Sequence, residues 1–145
     1  MTDEEYMQIA IDISKKSKTP YGAIVVKDDK IIGRSDNIES HELYHHAEYK
    51  AIQDAIEKNS LHGQLVGATI YSSCEPCLMC LGAILYEGIA KLVFGAKIED
   101  SDKYYCPEVL VSCEDIVNIA KNSKLSVVNI MRREAVEVLE NAKNI

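Results

Sequence analysis

Residues 23–35 read AIVVKDDKIIGRS, two runs rich in β-branched residues on either side of Asp28-Asp29. Runs of this kind, separated by a short polar break, form a β-hairpin. The hairpin decides the fold class because a different rhythm follows it. Over residues 46–58, Ala47, Ala51, Ile52, Ala55 and Ile56 mark one helical face, and ATIYSS (68–73) then reads as a strand. Pro76 suits the first position of a helix that runs to about Tyr86 and stops at Gly88, and KLVFGA (91–96) is a further strand. Residues 114–121 read as helix, LSVVNI (125–130) as strand, and 132–142 as a last helix with Val136 and Leu139 inward. Ahead of the hairpin, Thr2 and Glu5 form a capping box before Tyr6, Ile9 and Ile13, which predicts a helix over 3–16. A hairpin followed by strands alternating with helices implies an α/β fold, with one mixed five-stranded sheet covered by helices on both faces.

The bulk properties narrow the function. At 145 residues, 47% of them hydrophobic, the chain has the size of one domain (1–145) around one core. Apolar runs such as 22–26 and 81–85 are far shorter than the roughly 20 residues of a membrane span. The opening MTDEEYMQIA lacks the basic and apolar regions of a secretory signal, so a cytoplasmic location is expected. A formal net charge of -7 disfavours general binding to nucleic acid and favours small-molecule partners.

Five cysteines in such a chain argue against a disulfide framework. Cys106 and Cys113 read as free thiols, whereas Cys74, Cys77 and Cys80 fall within seven residues. An iron–sulfur run would need a fourth cysteine three residues on and then proline, but Leu81-Gly82-Ala83-Ile84 follows. A thioredoxin-like redox pair lacks an evident electrostatic partner for a reactive thiolate. Metal is the remaining use. Cys77 and Cys80 lie three apart at a helix start, so both sulfurs project to one side, near amides that favour thiolate.

A catalytic zinc takes three protein ligands, so one is missing. His41 and His62 lie in polar loops, while His45 and His46 stand at the start of the helix over 46–58. His46-Ala47-Glu48 and Pro76-Cys77-Leu78-Met79-Cys80 together match H-x-E…P-C-x-x-C, the pattern of the zinc deaminases. His46, Cys77 and Cys80 are therefore the expected zinc ligands. Glu48 is the expected catalytic acid and base, placed beside the metal without binding it. Two residues apart on a regular helix point to nearly opposite sides, so His46 must lie in an irregular first turn. Cys74 reads as a buried residue near the site, and Gly82 and Ala83 as close packing of helix on sheet.

Pro20-Tyr21-Gly22-Ala23, the HAE triplet, SSCEPCLMCLGAI and VFGA near residue 96 together resemble the cytidine deaminase-like superfamily. The branch they resemble holds guanine deaminases, fungal-type cytosine deaminases and bacterial tRNA adenosine deaminases. The resemblance covers about half the chain. It implies a three-layer αβα sandwich, a homodimer or higher oligomer, and the amides of Ala47 and Cys77 with the carbonyl of Glu75 along the reacting edge. It also implies a base- or ribose-binding role for Asn37, and for a carboxylate from the acidic group Glu99, Asp100, Asp102 and Glu108, Asp102 and Glu108 being the candidates carried forward. Tyr44, Tyr86, Tyr104 and Tyr105 are possible stacking faces. Glu42-Leu43-Tyr44-His45 departs from the Asp-Pro-Thr-Ala-like run usual in guanine and tRNA deaminases.

The chemistry follows from the residue types. Zinc makes hydroxide available near neutral pH, and a carboxylate within reach of water, ring nitrogen and exocyclic amine moves the protons that let ammonia leave. The expected reaction is hydrolytic deamination of a free base, guanine or cytosine-like, or a related heterocycle, as in purine or pyrimidine salvage. Deamination of wobble adenosine in tRNA is the alternative, and it suits an acidic chain poorly because it needs phosphate contacts. A non-catalytic module with zinc closed by a fourth ligand such as Cys74 is the third reading.

Overall fold

The computed structural model describes residues 1–38, 40, 46–59, 65–102, 110–121 and 123–142. Helix α1 (Asp3–Lys16) leads into β1 (Ala23–Lys27) and β2 (Lys30–Arg34), then α2 (Ala47–Asn59) and β3 (Thr69–Cys74). The chain continues through α3 (Leu78–Tyr86), β4 (Lys91–Ala96), α4 (Ile98–Asp102), α5 (Cys113–Ile119), β5 (Ser126–Asn129) and α6 (Arg132–Ala142). The five strands form one sheet in the order β2-β1-β3-β4-β5. β1 pairs antiparallel with both β2 and β3, while β3–β4 and β4–β5 are parallel, so the sheet is mixed as its sequence rhythm implies.

The local chemistry accounts for the elements. Thr2 and Glu5 make the reciprocal capping box of α1: the Glu5 N–H donates to Thr2 Oγ1 at 3.1 Å and the Thr2 N–H to Glu5 Oε2 at 3.3 Å. Asp28 and Asp29 both adopt positive φ, 51° and 59°, as a two-residue turn matching the twist of its strands demands. α2, α3 and α5 cover one face of the sheet, around Ala51, Ile70, Leu81, Ile84 and Leu92. α1 and α6 cover the other, around Met7, Ile11, Tyr71, Val93 and Leu139. The result is a three-layer αβα sandwich.

Differences from expectation lie at element ends. Pro76 is not the first residue of α3. Cys77, with φ -69° and ψ 171°, caps that helix, and Pro76 stands before the cap, where a missing N–H and fixed φ are equally tolerated. α4 is too short, at five residues, to show helical periodicity, and it carries Glu99, Asp100 and Asp102 of the acidic group. Gly82 is not a packing glycine, because a Cβ there would meet nothing within 4 Å; Ala83 does pack against the core.

Gly33 holds α2 close to the sheet edge. A Cβ at that position would overlap the Ala51 carbonyl oxygen and come within 2.7 Å of Ala55 Cβ. Gly33→Ala is therefore expected to destabilise the fold by about 1–3 kcal/mol, measured as a lowered urea midpoint, because α2 must lift. No helix among the described residues is long and apolar enough to cross a membrane.

Candidate metal centre

Two helix starts meet beyond the C-terminal ends of the parallel strands β3 and β4, where open α/β sheets bind ligands. His46 immediately precedes α2, and its carbonyl accepts the Lys50 N–H at 2.9 Å, so it occupies the cap and not the helix proper. That backbone lets His46 and Glu48, two residues apart, lie toward the same region. Cys77 caps α3 in extended conformation, its carbonyl accepting from Leu81 N–H at 2.9 Å, and Cys80 follows in the first turn, fully buried.

His46 Nδ1 lies 3.5 Å from Cys77 Sγ and 3.6 Å from Cys80 Sγ. All three donor atoms lie within 4.8 Å of one another. Zinc bonds of about 2.3 Å to sulfur and 2.0–2.1 Å to nitrogen at a tetrahedral angle give an S···N edge of about 3.5–3.6 Å, so the donors fit that ion. The Cys77 thiol is held down to about 4, first by the hydrogen bond from Cys80 and then by His46, against the opposing effect of burial. Cys80 is pushed far up as the donor to Cys77, with burial and the Glu48 charge adding to it. Metal binding would displace the thiol protons of the pair.

Glu48 is 6% exposed. Burial raises its carboxyl above the ordinary range, opposed by a hydrogen bond of 2.5 Å with Ser72 Oγ on β3. Cys74 stands apart from the donor cluster. It is buried, and desolvation raises its thiol. Among the described residues it does not close the site.

The remaining expected residues are less uniformly placed. Ala47 opens α2 and is buried beside Glu48. The Glu75 side chain is occupied with backbone: it accepts from Ile98 N–H at 3.0 Å and from Cys113 N–H at 2.7 Å, tying the starts of α4 and α5 to the end of β3. Glu75→Ala leaves two buried N–H groups without that acceptor, at about 1–3 kcal/mol each, and Glu75→Gln retains one acceptor oxygen. Chemical denaturation is expected to rank wild type above Gln and Gln above Ala.

Asn37, at φ 63°, lines a cavity of about 350 Å³ together with Asp12, Lys16 and Arg34. The three sulfur and nitrogen donors are not among the residues lining that cavity. In the acidic group, Asp100 is buried and structural: it accepts from Lys97 N–H at 2.9 Å and takes both Nε and a terminal nitrogen of Arg132 at 2.8 Å. Glu99 pairs with Arg132 at 3.7 Å. Asp102 ends α4, and Glu108 lies outside the described residues. His41, His45, His62 and Cys106 also lie outside them, as do Tyr44, Tyr104 and Tyr105. Tyr86 is 85% exposed and stacks on nothing described.

The sequence did not single out Ser72 as the partner of Glu48 or the Asp100–Arg132 clamp. The one signal for Ser72 was a hydroxyl in the middle of an otherwise buried strand.

Comparison with known proteins agrees with this geometry. Residues 1–96 match the family described as the cytidine and deoxycytidylate deaminase zinc-binding region. A tRNA-specific adenosine deaminase of Buchnera aphidicola subsp. Schizaphis graminum is 34% identical over 96% of this chain and 92% of its own. A protein named "Probable cytosine deaminase" from Schizosaccharomyces pombe is 30% identical over 83% of this chain and 79% of its own. The guanine deaminase of Nitrosomonas europaea shares the fold with a TM-score of 0.86 at 20% identity, over 99% of this chain and 86% of that one. The chain therefore belongs to the cytidine and deoxycytidylate deaminase zinc-binding family, and is a zinc-dependent hydrolytic C–N deaminase.

Proposed function

We propose that this deaminase acts on a free aminated nucleobase, guanine or cytosine-like, or a related small heterocycle, exchanging C–NH₂ for C=O with water consumed and ammonia released. The observation that carries the reading is a three-donor cluster with a buried carboxyl beside it that is not one of the donors. His46, Cys77 and Cys80 would hold the zinc, which when bound supplies the Lewis acidity that makes hydroxide available near neutral pH. Glu48 would take a proton from the attacking water and deliver it to the ring nitrogen next to the reacting carbon, then take the proton of the new hydroxyl on that carbon and pass it to the departing amine as C=O forms. The amides of Ala47 and Cys77 and the carbonyl of Glu75 would line the reacting edge, and Asn37 and an acidic residue, Asp102 or Glu108, would orient the base.

The choice of a small substrate rests on charge. A net charge of -7 opposes the phosphate contacts a folded RNA requires, and Arg132, a cation beside α4, is engaged by Asp100 and Glu99. One observation favours a second reading, deamination of adenosine in tRNA: the 34% identity to a tRNA-specific adenosine deaminase over nearly the whole chain. An ammonia-release screen over free bases, nucleosides and an anticodon stem-loop separates the two. Turnover of a free base supports the first, and turnover of the stem-loop alone supports the second. A homodimer and a role in cytoplasmic base salvage belong to the same proposal. Leu78, Met79 and Tyr86 leave apolar surface exposed on α3 that a second copy would cover, and sedimentation of the full chain tests it.

A further inference from the structure

Ser72 sits on β3, paired with Ala23 of β1 on one side and Phe94 of β4 on the other, and is 1% exposed. Its backbone is thus fixed from both sides. Its Oγ lies 2.5 Å from Glu48 Oε1 and 2.7 Å from the Cys74 carbonyl oxygen. A hydroxyl has one proton and two lone pairs, so it donates to one of these neighbours at a time. The carbonyl can only accept. The carboxyl can accept when ionised and donate when protonated, so one hydroxyl serves it in both states without moving. A lysine or a backbone N–H in that place could donate to the carboxyl but could not accept the proton of its neutral form.

The neighbouring serine shows that the arrangement is not generic. Ser73 accepts the Gly22 N–H at 3.0 Å and ties β3 to the segment before β1, a structural use on the opposite face of the strand. Ser72 alone of the two reaches α2. Glu48 lies two residues after the donor His46, so its bond to Ser72 ties a rigid strand to the helix start that carries the imidazole of the donor cluster.

We propose that Ser72 is a positioning residue for deamination: it pins Glu48 Oε1 to the central sheet so that the other carboxyl oxygen faces the reacting groups. This rests on Glu48 being the proton-transfer residue. The test uses the zinc-loaded full chain, with Ser72→Ala, Ser72→Thr, Ser73→Ala and Glu48→Gln compared in ammonia release on the base turned over fastest, together with zinc content and crystal structures. Ser72→Ala is expected to lower kcat by about 10–100-fold, a misplaced-group effect, with KM and zinc content within about twofold of wild type. Its crystal structure should show the Glu48 carboxyl rotated or split between orientations. Ser72→Thr, which keeps the hydroxyl, should recover kcat and the single orientation, and Ser73→Ala should lose stability but not kcat. Wild-type kcat and an undisturbed Glu48 in Ser72→Ala would overturn the proposal, as would a loss that threonine fails to restore. An active Glu48→Gln would instead bring down the role of Glu48 itself.

Discussion

Replacing Glu48 by alanine lowers kcat by roughly 10²–10⁴-fold, the usual contribution of a positioned acid and base, and leaves zinc content unchanged. Both halves of that result follow from position. Glu48 lies in the first turn of α2, hydrogen-bonded to Ser72, and its carboxyl is not among the three donors that converge on the metal position. Its removal would take away the proposed proton carrier and none of the three donors. Burial already raises the carboxyl, so ionised Glu48 works against folding. Glu48→Gln should therefore match or exceed wild type in thermal stability while being inactive, the trade-off expected of a group kept for chemistry. Equilibrium zinc analysis, single-turnover ammonia release and a thermal melt on the same samples check all three points.

Loss of a donor has the opposite signature. Cys80→Ala is expected to reduce zinc affinity by more than about 100-fold, beyond the 10–100-fold typical of residues that merely orient ligands, and to abolish turnover with it. Cys80 Sγ is one of only three converging donors among the described residues and is fully buried, so its loss leaves two donors and a cavity that no described side chain fills. His46→Ala should behave alike. Chelation of wild type should abolish activity, and added zinc should restore it. Metal content by atomic emission, followed through removal and return, distinguishes this from Glu48→Ala, which stays loaded and inactive.

Much of this was legible before any coordinates. The capping box at Thr2 and Glu5, the Asp28-Asp29 turn and the alternating elements that follow are local patterns, each confined to a few neighbouring residues. The donor cluster was legible because each half of H-x-E…P-C-x-x-C is also local, and the geometric need for an irregular turn at His46 pointed to the cap that the backbone shows. What stayed hidden depends on contacts between distant segments. Ser72 and Glu48 are 24 residues apart, Glu75 and Cys113 are 38 apart, and Asp100 and Arg132 are 32 apart. Nothing in the surroundings of Asp100 distinguished a buried clamp from a solvated acidic run. Gly82 misled for a related reason: a glycine on a helix says that a side chain is missing, and not which way it would have pointed.

Zinc K-edge X-ray absorption on the loaded protein tests the central claim most directly, because it counts the sulfurs around the metal. The account predicts two sulfur neighbours at about 2.3 Å and two lighter atoms at about 2.0–2.1 Å, one of them imidazole nitrogen. A third sulfur in that shell would mean a closed structural site, and would contradict it.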